Sequence, residues 1–270
     1  HGGFFHTRFA APVKQAYFHT VTRLSSRAYA RICATSQNDR QMFGRIARDR
    51  TTLMENGVDV LKWRNAAAPA PVPVLISIGR FSTNKRIPCL FPVLRALREF
   101  DPAWRLIVVG REYDQRIAEL EDLAEAEMVR DSVKFVAAPT VEECRLLIGA
   151  ASYFISASAH EGFGLSAVEA LSAGLVPVLS PIPPFRELAS RAGIGRIVDP
   201  ERVLETARAI HDLHSTHRTM AEEWRSRAIA AADSYAWPGI AARFAEIYRQ
   251  AAGTQGSRLQ MADDIRRAAE

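Results

Sequence analysis

The chain has 270 residues, 48% hydrophobic and 24% charged, enough for one large or two small packed domains. Fifteen Gly, 14 Pro and three Cys exclude a fibrous chain and a disulfide framework, and no run approaches the ~18 apolar residues of a membrane span. The net charge of +5 is uneven, because residues 1–50 hold nine Arg/Lys against two Asp and the remaining 220 residues sum to −2.

The three thiols, Cys33, Cys89 and Cys144, form no C-x-x-C pair and read as reduced cysteines of a cytoplasmic protein. The chain starts at His1 rather than Met and reads as the end of a buried element, so an upstream segment is expected. The basic residues 1–50 read two ways. They could dock on an anionic membrane surface, or form a solvated helix face. Nucleic acid is not an expected partner, since no helix-turn-helix, zinc-finger or RNP pattern accompanies the charge.

In chain order, Pro12 suits the first turn of a helix that continues through Val13, Ala16, Tyr17, Val21, Leu24 and Ala28 at helical spacing. Ile32–Thr35 reads as a short strand, and Ser36 as the cap of a helix from Gln37 to Arg48. Asn56-Gly57-Val58-Asp59 is a turn. Residues 65–73, with three prolines, read as a linker between residues 1–64 and a second domain at 74–234. Strands are then expected at 74–78, 104–109, 132–136, 153–156 and 176–179, and helices at 89–100, 116–127, 141–150, 165–173, 201–214 and 217–233. A helix over 235–252 and a frayed tail over 253–270 complete the chain. Short buried strands alternating with helices predict a doubly wound parallel α/β sheet, which binds ligands outside the carboxyl ends of its strands.

Two stretches follow such ends. In Gly79-Arg80-Phe81-Ser82-Thr83-Asn84-Lys85-Arg86, Arg80 offers a planar fork and Lys85 a mobile charge for phosphate oxygens. The pair alone reads equally well as a polar loop. Neither a P-loop nor a G-x-G-x-x-G is present. The second stretch runs from Ser156 through His160-Glu161-Gly162-Phe163-Gly164-Leu165 to Glu169. It places one carboxylate in a loop and another eight positions on, inside a helix. The glycines let backbone approach a ligand, and the helix start offers N–H groups to an anion. The bland alternative is two solvated glutamates, or a Glu161 that merely caps the helix.

Arg80/Lys85, the Glu161–Glu169 stretch and Ala170–Val178 together resemble the GT-B glycosyltransferases of family 4, the glycosyl transferases group 1. Asn56–Asp59 and Tyr235-Ala236-Trp237 are similar to that family too, and the likeness spans roughly 1–250. Within it, His1–Thr7 and Asn84–Ile87 look most like bacterial exopolysaccharide mannosyltransferases that use GDP-mannose. The resemblance implies a GT-B fold: a complete C-terminal Rossmann-like domain, the end of an N-terminal (acceptor) Rossmann-like domain, and a last helix crossing back to it. It implies retaining transfer from a nucleotide sugar to a glycan or polyprenyl-linked acceptor, without cofactor or metal. Arg80 and Lys85 would hold the donor diphosphate, and Glu169 the ribose. Glu161 would contact the sugar hydroxyls, and Gly162, Phe163, Gly164 and Leu165 would line the sugar and phosphates. His1 would face the donor sugar. Arg86, where Gly often follows the lysine, and Pro183-Pro184-Phe185, before Glu187, depart from the family pattern.

The chain has no Asp-x-Asp metal clamp, so cations and a helix end would supply the positive field. His211, His214 and His217 are spaced by three, and a solvated helix end is expected rather than a metal site. Trp104, Trp224 and Trp237 are expected to pack. Phe4, Phe5 and Phe9 beside the basic residues are read either as wedges at the inner face of the plasma membrane or as buried in an interdomain cleft. Two other functions remain open: a sugar-nucleotide epimerase, and a nucleotide-sugar binding module without catalysis. The chain by itself is expected to turn over slowly, because one wall of its acceptor cleft is mostly missing.

Overall fold

The computed structural model describes residues 10–267. His1, Phe4, Phe5 and Phe9 lie outside the described residues, and so do the roles expected of them. The chain forms two compact units, one over 58–235 and one joining 1–57 to 236–270. No helix among the described residues is long and apolar enough to cross a membrane.

The smaller unit opens with helix α1 (Ala11–Tyr17), a π-helical turn at Phe18–Thr22 and α2 (Arg23–Ser26). The expected apolar stripe is not its buried face. Val13, Tyr17, Val21 and Leu24 are exposed, and Phe18 is buried instead, edge-on to Phe43. The π turn inserts extra rotation, so a 3.6-residue period no longer tracks one face. Strands β1 (Ile32–Ala34) and β2 (Thr51–Leu53) pair in parallel around α3 (Gln37–Ala47). Ser36 caps α3 as expected, its Oγ accepting from the Asp39 N–H at 3.1 Å. The last helix, α10 (Trp237–Arg267), belongs to this unit and runs on through the stretch expected to fray. Trp237 lies across Gly57 but keeps about half its surface exposed, so it packs on one side only.

The larger unit is a six-stranded parallel sheet in the order β5-β4-β3-β6-β7-β8. Its strands are β3 (Val74–Phe81), β4 (Arg105–Glu112), β5 (Val133–Ala137), β6 (Tyr153–Ser156), β7 (Val176–Leu179) and β8 (Arg196–Ile197). Its helices are α4 (Leu90–Phe100), α5 (Ile117–Ala126), α6 (Val141–Gly149), α7 (Leu165–Ser172), α8 (Pro183–Ala192) and α9 (Val203–Asp233). The core mixes aliphatic and aromatic side chains: Leu75 and Ile76 of β3, Leu106 and Val108 of β4, Phe154 of β6, Val178 of β7, and Leu94 and Leu97 of α4 are all buried. Truncating any of these leucines to Ala should cost about 2–5 kcal/mol.

Two sequence expectations are corrected here. Residues 65–73 are no free linker. The N–H groups of Asn65, Ala67 and Ala68 donate to Ser172, Ala173 and Ala151 carbonyls, and Ala67 and Ala68 are buried, so the strand-poor segment is strapped to the larger unit. The helices expected at 201–214 and 217–233 are one helix with a kink at Met220 (φ −115°, ψ 18°). Pro183-Pro184-Phe185 opens α8, because proline suits a helix's first turn.

The chain winds outward from β3 to β4 and β5, then returns to β6 on the other side of β3 before continuing to β7 and β8. The winding direction therefore reverses between β3 and β6. The carboxyl ends of those two strands mark the switch point, the crevice where open parallel sheets bind ligands.

Candidate functional site

Both stretches singled out in the sequence leave that crevice. Arg80 is the penultimate residue of β3, and a 3-10 turn at Thr83–Lys85 follows. Glu161 stands in the loop from β6 to α7. The two loops are stitched together. The Ala159 N–H donates to the Asn84 carbonyl at 2.9 Å, and Asn84 Nδ2 donates to the His160 carbonyl at 2.8 Å.

Across this seam Lys85 Nζ donates to Glu161 Oε1 at 2.6 Å, with the two side chains 19% and 15% exposed. A half-desolvated pair like this is held by geometry, since each charge would be costly alone. Lys85 lies over the end of β3, where a Cβ on Gly79 (φ +153°) would come within 3.1 Å of its Cε. Ser158 Oγ donates to the same Glu161 Oε1 at 2.8 Å. Arg80 is exposed, and its guanidinium lies over the Tyr113 ring at 4.9 Å. Asp114, beside Tyr113, accepts from the Thr83 N–H at 2.8 Å and fixes the turn that carries Lys85.

Gly164 caps α7 at φ +91°, ψ 44°, with no side chain closing the helix start. A Cβ there would meet the Phe185 ring at 2.9 Å, so the backbone conformation and the packing both require glycine. The N–H groups of Leu165 and Ser166, in the first helical turn, point toward the crevice end of the helix, where an anion is stabilised. Phe163 is held edge-on to Tyr235, over which the Arg191 guanidinium lies at 4.7 Å.

Glu169 stands one turn into α7, half-buried. Burial raises its pKa above the usual carboxylate range. Lys62 pulls it back, and Asp59 pushes it further. Asp59 Oδ1 accepts from the Leu61 and Lys62 N–H groups at 3.2 Å and so builds the turn beside Glu169. Among the described residues Glu169 shares no hydrogen bond with Lys85, Glu161 or Arg80.

Sequence reading missed Ser158, Asn84 and Tyr113, which hold Glu161, His160 and Arg80. The alternation Ser156-Ala157-Ser158 past a buried strand was the available signal. Arg86, the departure from glycine, adopts the left-handed conformation (φ 52°, ψ 38°) that glycine would favour, and it pairs with Glu201.

The histidines are no solvated helix end. His214 and His217 Nδ1 contact the buried Tyr153 hydroxyl at 2.7 and 3.0 Å, and His217 stacks on Trp224. Trp104 is edge-on to His214, so Trp104 and Trp224 pack as expected. Among the described residues no cluster of three or more His, Cys, Asp or Glu could hold a metal ion.

The family model of the glycosyl transferases group 1 matches residues 62–231. A GDP-mannose:cellobiosyl-diphosphopolyprenol alpha-mannosyltransferase of Xanthomonas oryzae is 40% identical over 254 residues, which cover 94% of this chain and 67% of that protein. The protein of the same name from Komagataeibacter xylinus is 38% identical over 253 residues, covering 94% of this chain and 64% of that one. The chain thus spans about two thirds of the length of these relatives. The solved structure of WaaG, a glycosyltransferase involved in lipopolysaccharide biosynthesis, aligns with a TM-score of 0.65 at 19% identity, over 87% of this chain and 72% of that one. The family model covers more than half of the chain and the fold is that of GT-B glycosyltransferases, so the chain belongs to the glycosyl transferases group 1.

Proposed function

We propose that this protein moves mannose from GDP-mannose to a polyprenyl-diphosphate-linked glycan in polysaccharide synthesis, with retention at the anomeric carbon and without a metal. The observation that supports the reading best is Lys85 paired to Glu161 at the switch point, beside Arg80 and the uncapped start of α7. The named relatives support the donor and the lipid-linked acceptor.

In this reading Arg80, Lys85 and the first N–H groups of α7 bind the diphosphate. They stabilise the charge that builds on it as the glycosidic bond breaks, the work a divalent cation would otherwise do. Lys85 exchanges Glu161 for phosphate oxygens when the donor enters, and Glu161 is freed toward the sugar hydroxyls. Glu169 accepts from the ribose hydroxyls. The acceptor attacks from the face the diphosphate leaves. The carboxylate-pair mechanism of glycosidases does not apply, because Glu169 is engaged with ribose.

Titration calorimetry with GDP, UDP and ADP tests this. GDP should bind most tightly, and Arg80→Ala should weaken it by about tenfold or more. Preference for UDP would discard the mannose donor. No binding by any of the three would overturn the site.

The same reading puts the protein at the inner face of the plasma membrane, where a polyprenyl-linked acceptor is held. Support comes from the exposed Val13, Tyr17, Val21 and Leu24, which share residues 11–26 with Lys14 and Arg23. Sedimentation with vesicles should pellet the protein with anionic but not neutral lipid, and equal pelleting would sink the membrane role.

A further inference from the structure

Glu161 Oε1 already accepts from two donors, Lys85 Nζ and Ser158 Oγ. A carboxylate paired to an ammonium accepts and does not donate. The single Ser158 hydroxyl proton is therefore committed to Glu161. That settles a contact which is ambiguous on distance alone: Ser156 Oγ and Ser158 Oγ lie 2.9 Å apart, so Ser156 must donate and Ser158 accept. Ser180 Oγ donates to the Ser158 carbonyl at 2.6 Å and pins its backbone. All three serines are buried, Ser158 completely.

The three hydroxyls come from the ends of two adjacent strands. Ser156 closes β6, Ser180 follows β7, and Ser158 bulges from the loop between β6 and α7. A run of polar side chains in a 0–6% exposed position is costly unless every hydroxyl is paired, and here each is. The chain runs one way, from Ser156 to Ser158 to Glu161, and it ends on one oxygen of one carboxylate. The other oxygen, Oε2, has no hydrogen-bond partner among the described residues.

We propose that Ser158, oriented by Ser156 and Ser180, is a positioning residue that aims Glu161 Oε2 at the donor sugar. The inference rests on the proposed sugar contact of Glu161. Lys85 cannot do this work through the reaction, because it must leave Glu161 for the diphosphate. Ser158 remains when the ammonium departs. It keeps the carboxylate from swinging after its former partner, so the sugar meets a fixed acceptor instead of a free rotor.

The test measures GDP and GDP-mannose affinity by calorimetry on the 270-residue chain and takes their ratio as the contribution of the sugar. Wild type should bind GDP-mannose more tightly than GDP, and Glu161→Gln should remove that difference. Ser158→Ala should lower the ratio by about tenfold while GDP affinity moves less than twofold. Ser156→Ala should lower it by a smaller factor, and Ser158→Thr, which keeps the donor, should restore it. Thermal unfolding of each variant identifies any that fail to fold, and Ser156→Ala, which leaves the Ser158 hydroxyl in place, then carries the test. If Glu161→Gln removes the sugar contribution and Ser158→Ala does not, the positioning role falls and the Glu161 contact stands. If wild type binds GDP and GDP-mannose equally, the sugar contact falls and this proposal falls with it.

Discussion

Strand β6 is four residues long and carries a polar cluster at each end. At its amino end Tyr153 meets His214 and His217, and past its carboxyl end Ser156 and Ser158 lead to Glu161 and Lys85. Both clusters are largely buried and rich in side chains that do chemistry elsewhere. They differ in where spare capacity lies: at the amino end it is one buried donor, Trp104 Nε1, and at the carboxyl end a carboxylate oxygen and helix N–H groups. At the amino end the Tyr153 hydroxyl donates to one imidazole and accepts from the other, so one histidine presents a bare Nδ1 and the other an Nδ1–H. Aromatic rings of Trp104 and Trp224 close over both. At the carboxyl end Glu161 Oε2 and the first N–H groups of α7 face outward with no partner among the described residues. A closed cluster specifies packing, and an open one specifies a ligand.

Lys85→Ala breaks the open cluster and should give the largest effect. GDP affinity should fall about a hundredfold, since a charge-assisted contact is lost, and the unfolding midpoint should fall as well, because Glu161 is left without its ammonium partner. Calorimetry and thermal unfolding on the same sample check both halves. A variant that binds GDP normally but melts early would reverse the comparison, making Lys85 a structural ion and the carboxyl end a second closed cluster.

The closed cluster should answer to pH. Burial lowers the His217 pKa to about 4, with the neighbouring His214 and Arg225 adding to the shift, and His214 is lowered by burial as well. In the unfolded chain a histidine titrates near its ordinary value of about 6.5. As pH falls below that value the unfolded chain takes up protons that the folded one refuses. Stability is therefore full above about pH 6.5 and is lost down to about pH 4. Between pH 7 and pH 5 His217 alone should remove about 2 kcal/mol of unfolding free energy. Urea unfolding followed by tryptophan fluorescence reads this directly, because Trp104 and Trp224 flank the histidines. His217→Gln should flatten the pH dependence. A wild type equally stable at both pH values would mean that the imidazoles are already solvated.

The two ends were unequally legible in the sequence. The strands of the larger unit were readable because each is a short apolar run between turn residues, and a parallel sheet buries both faces. The charged residues of the open cluster were readable because they follow strand ends in fixed motifs. Ser158 was not, because its meaning depends on which way a loop residue turns after β6, and composition carries no such direction. The histidines failed for a related reason. Spacing by three suggests one helix face, but whether that face meets water or Tyr153 is decided by α9 running straight through 214–217 and kinking only at Met220. The linker failed because prolines signal missing donors and say nothing of where the donors of Asn65, Ala67 and Ala68 go.

Glu169 lies between the two types, and it sharpens the comparison by the smallest effect. It is half-buried like the closed cluster, yet its carboxylate is set in a crevice with Lys62 and Asp59 near it. Burial raises its pKa, so it gains a proton at a higher pH than an exposed glutamate does. The protonated acid is the poorer acceptor for ribose hydroxyls. Nucleotide affinity should therefore be full at neutral pH and weaken as pH drops through the mildly acidic range, by about fivefold, the difference between a charged and a neutral hydrogen bond. The GDP phosphates also titrate there, so the informative quantity is wild type minus Glu169→Gln, in which the phosphate contribution cancels. The amide should bind GDP about as weakly at neutral pH as wild type does in acid. If the two proteins keep a constant ratio at every pH, Glu169 belongs with the packing residues, and the open cluster ends at Glu161.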